Sequence, residues 1–187
     1  MPLHKGAFEL LVLEPEKFGD DRGWFCESYS RERLAAAGFD RAFVQDNQSF
    51  SRRAGVVRGL HFQIPPHAQD KLVSVLRGRI CDVAVDIRRG SPTYGQYAAY
   101  ELSAENGRQL LVPVGFAHGF CTLAPDTQVF YKVSDYYRPD CERGLRWNDP
   151  ELNIDWPVSE KLATLSDRDG QLPWLSEFDS PFRYETE

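Results

Sequence analysis

Short strand-like segments recur about every ten residues along most of this chain, and turn residues separate them. The segments are rich in β-branched and aromatic side chains, which favour pleated structure. They are residues 8–13, 24–29, 43–48, 56–63, 71–76, 79–87, 97–102, 109–112, 120–122 and 127–136. Arg77-Gly78 and Asn106-Gly107 predict tight turns between neighbouring strands. The pattern is typical of an all-β sandwich or barrel.

The rest of the chain is interpreted as part of the same domain. Ser30 predicts the N-cap of a short helix over residues 31–37, which Gly38 ends. The proline- and tryptophan-rich tail after Pro150 predicts irregular structure packed over the β core. No repeat or linker divides the chain, so residues 1–187 are expected to form a single domain of ordinary size.

Charge and composition exclude several classes of protein. The net charge is −6, which argues against a nucleic-acid-binding surface but is compatible with a local basic pocket. No apolar run approaches the roughly 18 residues of a membrane span, and residues 1–14 lack the layout of a signal peptide. The four cysteines contain no C-x-x-C pair. We therefore expect a cytoplasmic protein with reduced thiols and no membrane or nucleic-acid partner.

One histidine stands out by its neighbours. The four histidines are His4, His61, His67 and His118. An isolated histidine is usually a hydrogen-bonded structural residue, but His61 shares its strand segment with Arg58, and Lys71 follows on the next segment. Residues three apart on a regular strand face opposite ways. A bend at Gly59 is therefore needed for Arg58 and His61 to reach one cavity.

A metal site fits the sequence poorly. The chain resembles the metal-binding cupins in part of their second motif, where His118 lies in a predicted loop at 113–119, but Thr122 replaces the final asparagine. In the first motif His61 matches, whereas Gln63 replaces the second histidine and the glutamate is missing. Two of the four ligand types remain, too few for a strong site. The sequence predicts no metal and no cofactor.

Three other polar positions are unspecific when each is considered alone. Lys71, beside Asp70, is typical of a surface lysine, and Tyr131 of an aromatic residue packed in a strand. Asp167 and Asp169 are typical of a polar turn. They gain meaning only from a match that covers the whole chain.

From about residue 11 to residue 175, the chain resembles the dTDP-4-dehydrorhamnose 3,5-epimerase family, the cofactor-free epimerases of deoxysugar synthesis. The matching segments are FGDDRG at 18–23, FVQDN at 43–47, VRGLHFQ at 57–63, DKLV at 70–73, DVAVDIR at 82–88, LSAEN at 102–106, PVGFAHGF at 113–120 and YK at 131–132. The resemblance implies a cupin-type jelly roll and a homodimer whose N-terminal segment reaches the partner's site.

The same resemblance implies roles for individual residues. His61 matches the general base, Asp169 the carboxylate behind it, Lys71 the residue beside the sugar ketone, and Tyr131 the proton donor. Further positions match those that hold the nucleotide sugar. These are Phe18, Arg22, Glu27, Gln45, Asp46, Asn47, Arg58, Lys71, His118, Tyr137, Glu142 and Arg168. Arg168 replaces the usual lysine of the family, and the two side chains differ in reach and geometry.

The implied chemistry accounts for these residue types. A 4-keto sugar has acidic C3–H and C5–H bonds, so epimerisation needs a base, a cation beside the enolate oxygen, and an acid. The leading hypothesis is the 3,5-epimerase acting on dTDP-4-dehydro-6-deoxy-D-glucose. A 3- or 5-monoepimerase on a related sugar is the alternative. A metal-dependent cupin oxygenase and a non-catalytic sugar-nucleotide binder are hypotheses from other classes.

Overall fold

Two antiparallel β-sheets form the body of the molecule, in a computed structural model that describes residues 3–185. The outermost residues of the predicted 1–187 domain therefore lie outside the described part. The strands are β1 (Leu3–Lys5), β2 (Leu11–Leu13), β3 (Lys17–Asp20), β4 (Gly23–Cys26), β5 (Gln45–Ser51), β6 (Val57–Gln63), β7 (Lys71–Arg77), β8 (Arg79–Asp86), β9 (Tyr97–Ser103), β10 (Gln109–Val112), β11 (Phe116–Thr122), β12 (Thr127–Val133) and β13 (Glu142–Gly144).

The strand order is that of a jelly roll. One sheet has the order β1-β2-β10-β7-β12-β5, the other the order β13-β6-β11-β8-β9, and β3 pairs with β4 in a separate hairpin. The main core lies between the two sheets, because its buried side chains come from strands of both. These include Val12, Val73, Ile80, Ala84, Leu110, Phe120 and Val129. The predicted all-β, cupin-type fold is confirmed.

The outer faces of both sheets are also covered. Among residues 3–185 the one α-helix, α1 (Arg31–Ala36), buries Leu34 against the six-stranded sheet. The predicted cap is present, since Ser30 Oγ accepts from the backbone N–H of Arg33 at 3.4 Å. The tail after Pro150, described as far as residue 185, has short 3₁₀ turns at Asp169–Gln171 and Leu175–Glu177 and packs over the five-stranded sheet as expected.

Several predicted boundaries were wrong, each for a local reason. Residues 7–9 form a 3₁₀ turn in place of the first half of the strand predicted at 8–13. Strand β11 begins at Phe116, so His118 lies within a strand and not in a loop. Strand β3 was missed because its residues are mostly exposed and show no apolar alternation. Strand β1 was missed as well.

Candidate active site

Strand β6 bends at Gly59, and this bend brings Arg58 and His61 to the same cavity. The pairing of β6 with β11 changes register between His118 and Phe120, as in a β-bulge. Gly59 has φ +113°, and a Cβ there would lie 2.6 Å from the carbonyl oxygen of His118. Only glycine fits both conditions. The bend at Gly59, which the sequence analysis found necessary, is present. The side chains of Arg58 and His61 both line a cavity of about 610 Å³.

Three residues stand where this large cavity meets a smaller one. His61, Lys71 and Tyr131 line both the 610 Å³ cavity and a second cavity of about 190 Å³. They come from three different strands of the two sheets, β6, β7 and β12. The large cavity extends over Asp169, whereas the small one extends toward Glu142. A substrate with two parts can therefore place its reacting portion at the junction.

His61 is oriented by a carboxylate from the tail. Its Nε2 lies 2.7 Å from Asp169 Oδ1, and the backbone N–H of Gly59 donates to the other carboxylate oxygen at 3.4 Å. Burial raises the pKa of the Asp169 carboxyl. The hydrogen bond to His61, the charge of His61 and the hydrogen bonds from Gly59 and Ser166 lower it by more, so the net pKa lies below the ordinary value. An ionised carboxylate only accepts, so Nε2 carries the hydrogen, and in a neutral imidazole Nδ1 then has the lone pair of a base.

Lys71 is buried in the cavity floor. The neighbouring Asp70 had suggested a surface lysine instead. Its ammonium donates to the carbonyl oxygen of His61 at 3.0 Å. Desolvation lowers the pKa of Lys71 to about 8, although the charges of Asp82 and Glu142 oppose the shift. Asp70 points to the other face of β7, where it accepts from Ser134 and Arg41. Lys71 is thus a desolvated cation available inside the cavity.

Tyr131 supplies a phenol at the same junction. It lies on β12, paired in register with Asn47 on β5 and Val73 on β7. Burial raises the pKa of the Tyr131 hydroxyl, the charge of Arg58 lowers it, and Glu142 raises it. The net pKa is above the ordinary value, so the phenol keeps its proton near neutral pH. A phenol in this state can donate a proton.

A second histidine–carboxylate pair lies beside the first. His118 Nε2 is 2.8 Å from Asp82 Oδ1, and both residues are buried. His118 lines the large cavity and is paired in register with His61 across the sheet. The two histidines therefore lie on neighbouring strands of one sheet.

The edge of the small cavity carries a bridge of three side chains. The hydroxyl of Tyr137 donates to Glu142 Oε2 at 2.5 Å, and Arg168 binds the same carboxylate at 2.8 Å. Burial alone raises the pKa of Glu142, but its hydrogen bonds to Tyr137 and Arg168 and the charges of Arg168 and His61 lower it overall. Arg168 also lines the large cavity, so the bridge connects the rims of both cavities.

The large cavity is positively charged in a chain of net charge −6. Of the residues that the structure describes, four arginines line it, and Asp169 is the one acidic residue there. They are Arg52, Arg53, Arg58 and Arg168. Arg52 and Arg53 were not singled out from the sequence, although an Arg-Arg dipeptide just before the strand of Arg58 and His61 was an available signal. The charge favours an anionic ligand.

Comparison with known proteins places this site in a family. The family model described as dTDP-4-dehydrorhamnose 3,5-epimerase matches residues 7–177. The chain belongs to that family. A dTDP-4-dehydrorhamnose 3,5-epimerase from Pseudomonas aeruginosa is 51% identical over 164 residues, covering 87% of this chain and 89% of its own.

Solved structures of the same family share the fold over nearly the whole chain. The dTDP-4-dehydrorhamnose 3,5-epimerase from Bacillus anthracis with TDP and PPi bound has a TM-score of 0.89 and 53% identity, covering 92% of this chain and 98% of that one. The dTDP-6-deoxy-D-glucose-3,5-epimerase from Legionella pneumophila in complex with dTDP-4-keto-L-rhamnose has a TM-score of 0.93 and 44% identity, covering 99% of each chain.

For this epimerase-family chain, the structure brings most of the predicted site residues together, but not all. The large cavity is lined by seven of them, and the small cavity adds four. In the order of the chain they are Gln45, Asn47, Arg58, His61, Lys71, His118, Tyr131, Tyr137, Glu142, Arg168 and Asp169. Asp46 lies on the opposite face of β5, where it binds Lys132 at 3.0 Å. The alternation of side chains along a strand separates it from its two neighbours.

The N-terminal members of the set lie apart from both cavities. Phe18 and Arg22 belong to the exposed β3–β4 hairpin, and Arg22 binds Asp20 at 2.5 Å. Glu27 follows the hairpin and binds Arg33 at 3.0 Å. Within one chain, these three residues do not reach the site.

Two negative findings apply to residues 3–185. No three histidine, cysteine, aspartate or glutamate side chains come together in a way that could hold a metal ion. In the same stretch, no helix has the length and apolar character to cross a membrane.

Proposed function

We propose that this protein is a 3,5-epimerase that converts dTDP-4-dehydro-6-deoxy-D-glucose to dTDP-4-dehydro-L-rhamnose. The relatives at about half identity over most of the chain carry this activity in their names. The observation that supports the proposal most strongly is local. A histidine–carboxylate pair, a buried ammonium and a protonated phenol line one cavity.

Deprotonation uses the free nitrogen of His61. Because Nε2 is held by Asp169, Nδ1 accepts the proton from C5 or C3. The electron pair of the C–H bond moves into the ring, and the C4 ketone becomes an enolate. The ammonium of Lys71 stabilises the enolate oxygen, as a fixed cation in a dry cavity does most effectively. Asp169 in turn stabilises the imidazolium that forms.

Inversion needs a proton from a second group. Tyr131 donates its phenolic proton to the carbon, the electron pair returns from the enolate, and the ketone is restored. Each inversion leaves His61 protonated and Tyr131 ionised, and proton exchange with solvent returns both to their starting states. No hydride moves, so the reaction needs no oxidant or reductant.

The remaining residues are proposed to hold the nucleotide portion. Arg58 carries a charge that matches the diphosphate, with Arg168 at the shared rim. Polar groups of the small cavity and its neighbours are proposed to bind the rest of the substrate. They are Gln45, Asn47, His118, Tyr137 and Glu142. The family resemblance and the placement of these side chains support their roles.

Solvent exchange separates this function from its alternatives. The protein is incubated with the substrate in D₂O and followed by proton NMR. Deuterium at both C3 and C5, with inverted product, is the expected result. Exchange at one carbon only would favour the monoepimerase. A substrate that is bound but exchanges no C–H would favour a non-catalytic binder.

We further propose a homodimer in which the β3–β4 hairpin of one protomer completes the site of the other. The hairpin exposes Phe18, Trp24 and Phe25, which are 57%, 63% and 71% exposed. Large aromatic residues exposed together favour a protein contact. Arg22 lies apart from the cavities of its own chain, which also supports exchange.

Complementation tests the exchange. Chains carrying Arg22→Ala are mixed with chains carrying His61→Ala, and each variant is assayed alone as the control. One hybrid site keeps both residues, so the mixture is expected to regain activity. Mixed dimers that are shown to form and stay inactive would contradict the shared site.

The chain is also proposed to act as one domain in the cytoplasm. Asp169 of the tail completes the dyad with His61 of the barrel, so the two parts are needed together. The cysteines Cys26, Cys81, Cys121 and Cys141 are free thiols, as suits a reducing compartment.

A further inference from the structure

A buried carboxylate beneath the cavity has no role in the chemistry so far. Asp82 lies on β8 with no exposed surface. Its Oδ1 accepts from Nε2 of His118 at 2.8 Å, whereas its Oδ2 is buried and has no hydrogen-bond partner among residues 3–185. An unpaired buried carboxylate oxygen is costly, so a stable fold keeps one only with compensation.

A buried cation, Lys71, interacts with this carboxylate through its charge. Both residues are buried, and of the charges that act on Lys71 that of Asp82 is the strongest, ahead of that of Glu142. Lys71 Nζ nevertheless donates to the carbonyl oxygen of His61 at 3.0 Å. Asp82 therefore acts on Lys71 as a charge and not as a partner that occupies its N–H donors. The hydrogen bond from His118 fixes the carboxylate in this position.

We infer that Asp82 is a positioning residue of the proposed reaction: it keeps Lys71 as an ammonium while leaving its N–H groups free for the ketone oxygen. The inference rests on the proposed function, since it assigns Lys71 to the enolate. A neutral amine in that place would stabilise the enolate far less. Without Asp82, desolvation would remove the Lys71 proton at a lower pH.

Other groups also face Lys71, and each belongs to a different element. They are His61 on β6, His118 on β11, Tyr131 on β12, Glu142 on β13 and Asp169 in the tail. Glu142 is already bound by Arg168, and Asp169 by His61. The Arg168 guanidinium offsets much of the charge of Glu142, and the charge of Asp169 is not among the causes of the pKa shift of Lys71. Asp82 differs from both, because His118 binds only its Oδ1 and its Oδ2 has no hydrogen-bond partner among residues 3–185.

The first measurement is independent of activity. The chain has five lysines, so selective ¹³C-lysine labelling gives a simple NMR titration. The Lys71 signal is identified by its absence in Lys71→Met. Asp82→Asn is expected to lower the pH at which Lys71 titrates by about 1 unit or more. Asp82→Glu keeps the charge and is expected to stay near the wild-type value.

A matched control lies on the same strand. Asp86 is also fully buried and is held by Arg88, Ser91 and Thr93, four residues further along β8, or about 13 Å. Asp86→Asn removes a buried charge of the same kind and is expected to leave the Lys71 titration unchanged. If Asp82→Asn does not fold, Asp82→Ser removes the charge and keeps an acceptor for His118.

The second measurement is the pH dependence of kcat. In the wild type, the alkaline limb is expected near pH 8, where Lys71 loses its proton. In Asp82→Asn the limb moves to lower pH together with the NMR titration, and each unit lowers the alkaline rate about tenfold. An unchanged Lys71 titration in Asp82→Asn, or an equal shift in Asp86→Asn, would overturn the inference. A shifted titration with an unshifted limb would instead refute the role of Lys71 in the proposed function.

Discussion

Two histidine–aspartate pairs of the molecule, His61–Asp169 and His118–Asp82, have nearly the same N–O distance, 2.7 and 2.8 Å. The two pairs differ in how far they are exposed. His61 is 30% exposed and faces the junction of two cavities, whereas His118 is 8% exposed. Asp169 comes from an irregular tail segment, and Asp82 from the middle of a core strand. A pair with one accessible nitrogen can exchange a proton with a ligand. In a pair enclosed in the core, the histidine mainly holds the charged carboxylate in a fixed position.

The largest expected effect breaks the accessible pair. His61→Ala removes the proposed base, so hydrogen exchange at both C3 and C5 should fall by about 10²–10⁴-fold. NMR exchange rates in D₂O measure the loss, and circular dichroism confirms that the variant is folded. Near wild-type exchange at either carbon would mean that another group removes that proton.

A second change, Tyr131→Phe, removes the proposed proton donor and leaves the proposed base His61 in place. In Tyr131→Phe, His61 still removes the proton and Lys71 still holds the enolate, but no acid remains to complete the inversion. The ratio of inversion to exchange should fall by about 10²-fold. Both rates are measured on one sample. Phenylalanine keeps the ring, so packing changes little. An unchanged ratio would remove Tyr131 from the reaction.

A third change tests the enclosed pair through stability. His118→Ala leaves the fully buried Asp82 with no hydrogen-bond donor, and this should lower the free energy of unfolding by about 1–3 kcal/mol. His61→Ala leaves Asp169 with the N–H of Gly59 and with access to the cavity, so its loss should be smaller. Urea unfolding followed by tryptophan fluorescence compares the two variants. Equal losses would contradict the contrast between the pairs.

The smallest effect concerns acid stability. The folded-state pKa of Asp169 is lowered, so the carboxylate stabilises the fold above its unfolded pKa of about 3.9. This contribution is lost as the pH falls through the folded value. The difference in unfolding free energy between wild type and Asp169→Asn should therefore shrink between about pH 5 and pH 3. The exposed neighbour Asp167 provides the control Asp167→Asn, which leaves the hydrogen bond between His61 and Asp169 in place. An equal change with pH in this control would contradict the role given to Asp169.

The contrast between the pairs also shows how far the sequence alone reached. The strands of the core were predicted because their apolar residues form a buried face, and β3 of the exposed hairpin was missed because it has no such face. His61 was singled out by Arg58 and Lys71, but its partner Asp169 is 108 residues away. No local pattern specifies that contact, and only the family resemblance indicated it.

The sequence could also have indicated a functional role for Asp82, but this residue was not singled out in the sequence analysis. Strand alternation places it on the same face as Ile80 and Ala84, both of which lie in the main core. A carboxylate on an apolar strand face needs a buried partner. The partner itself, His118, was hidden because its segment was interpreted as a loop.

The pairing of β7 decides which charge the cavity receives. Lys71 and Asp70 are adjacent, and they point to opposite faces of the strand. A slip of one residue would place a carboxylate where the ammonium now lies and would reverse the polarity of the cavity. Lys71 is aligned with Val112 on one side and Val133 on the other, so two neighbouring strands enforce the same alignment. The backbone hydrogen bonds of two neighbouring strands thus determine the sign of the charge at the proposed reacting centre.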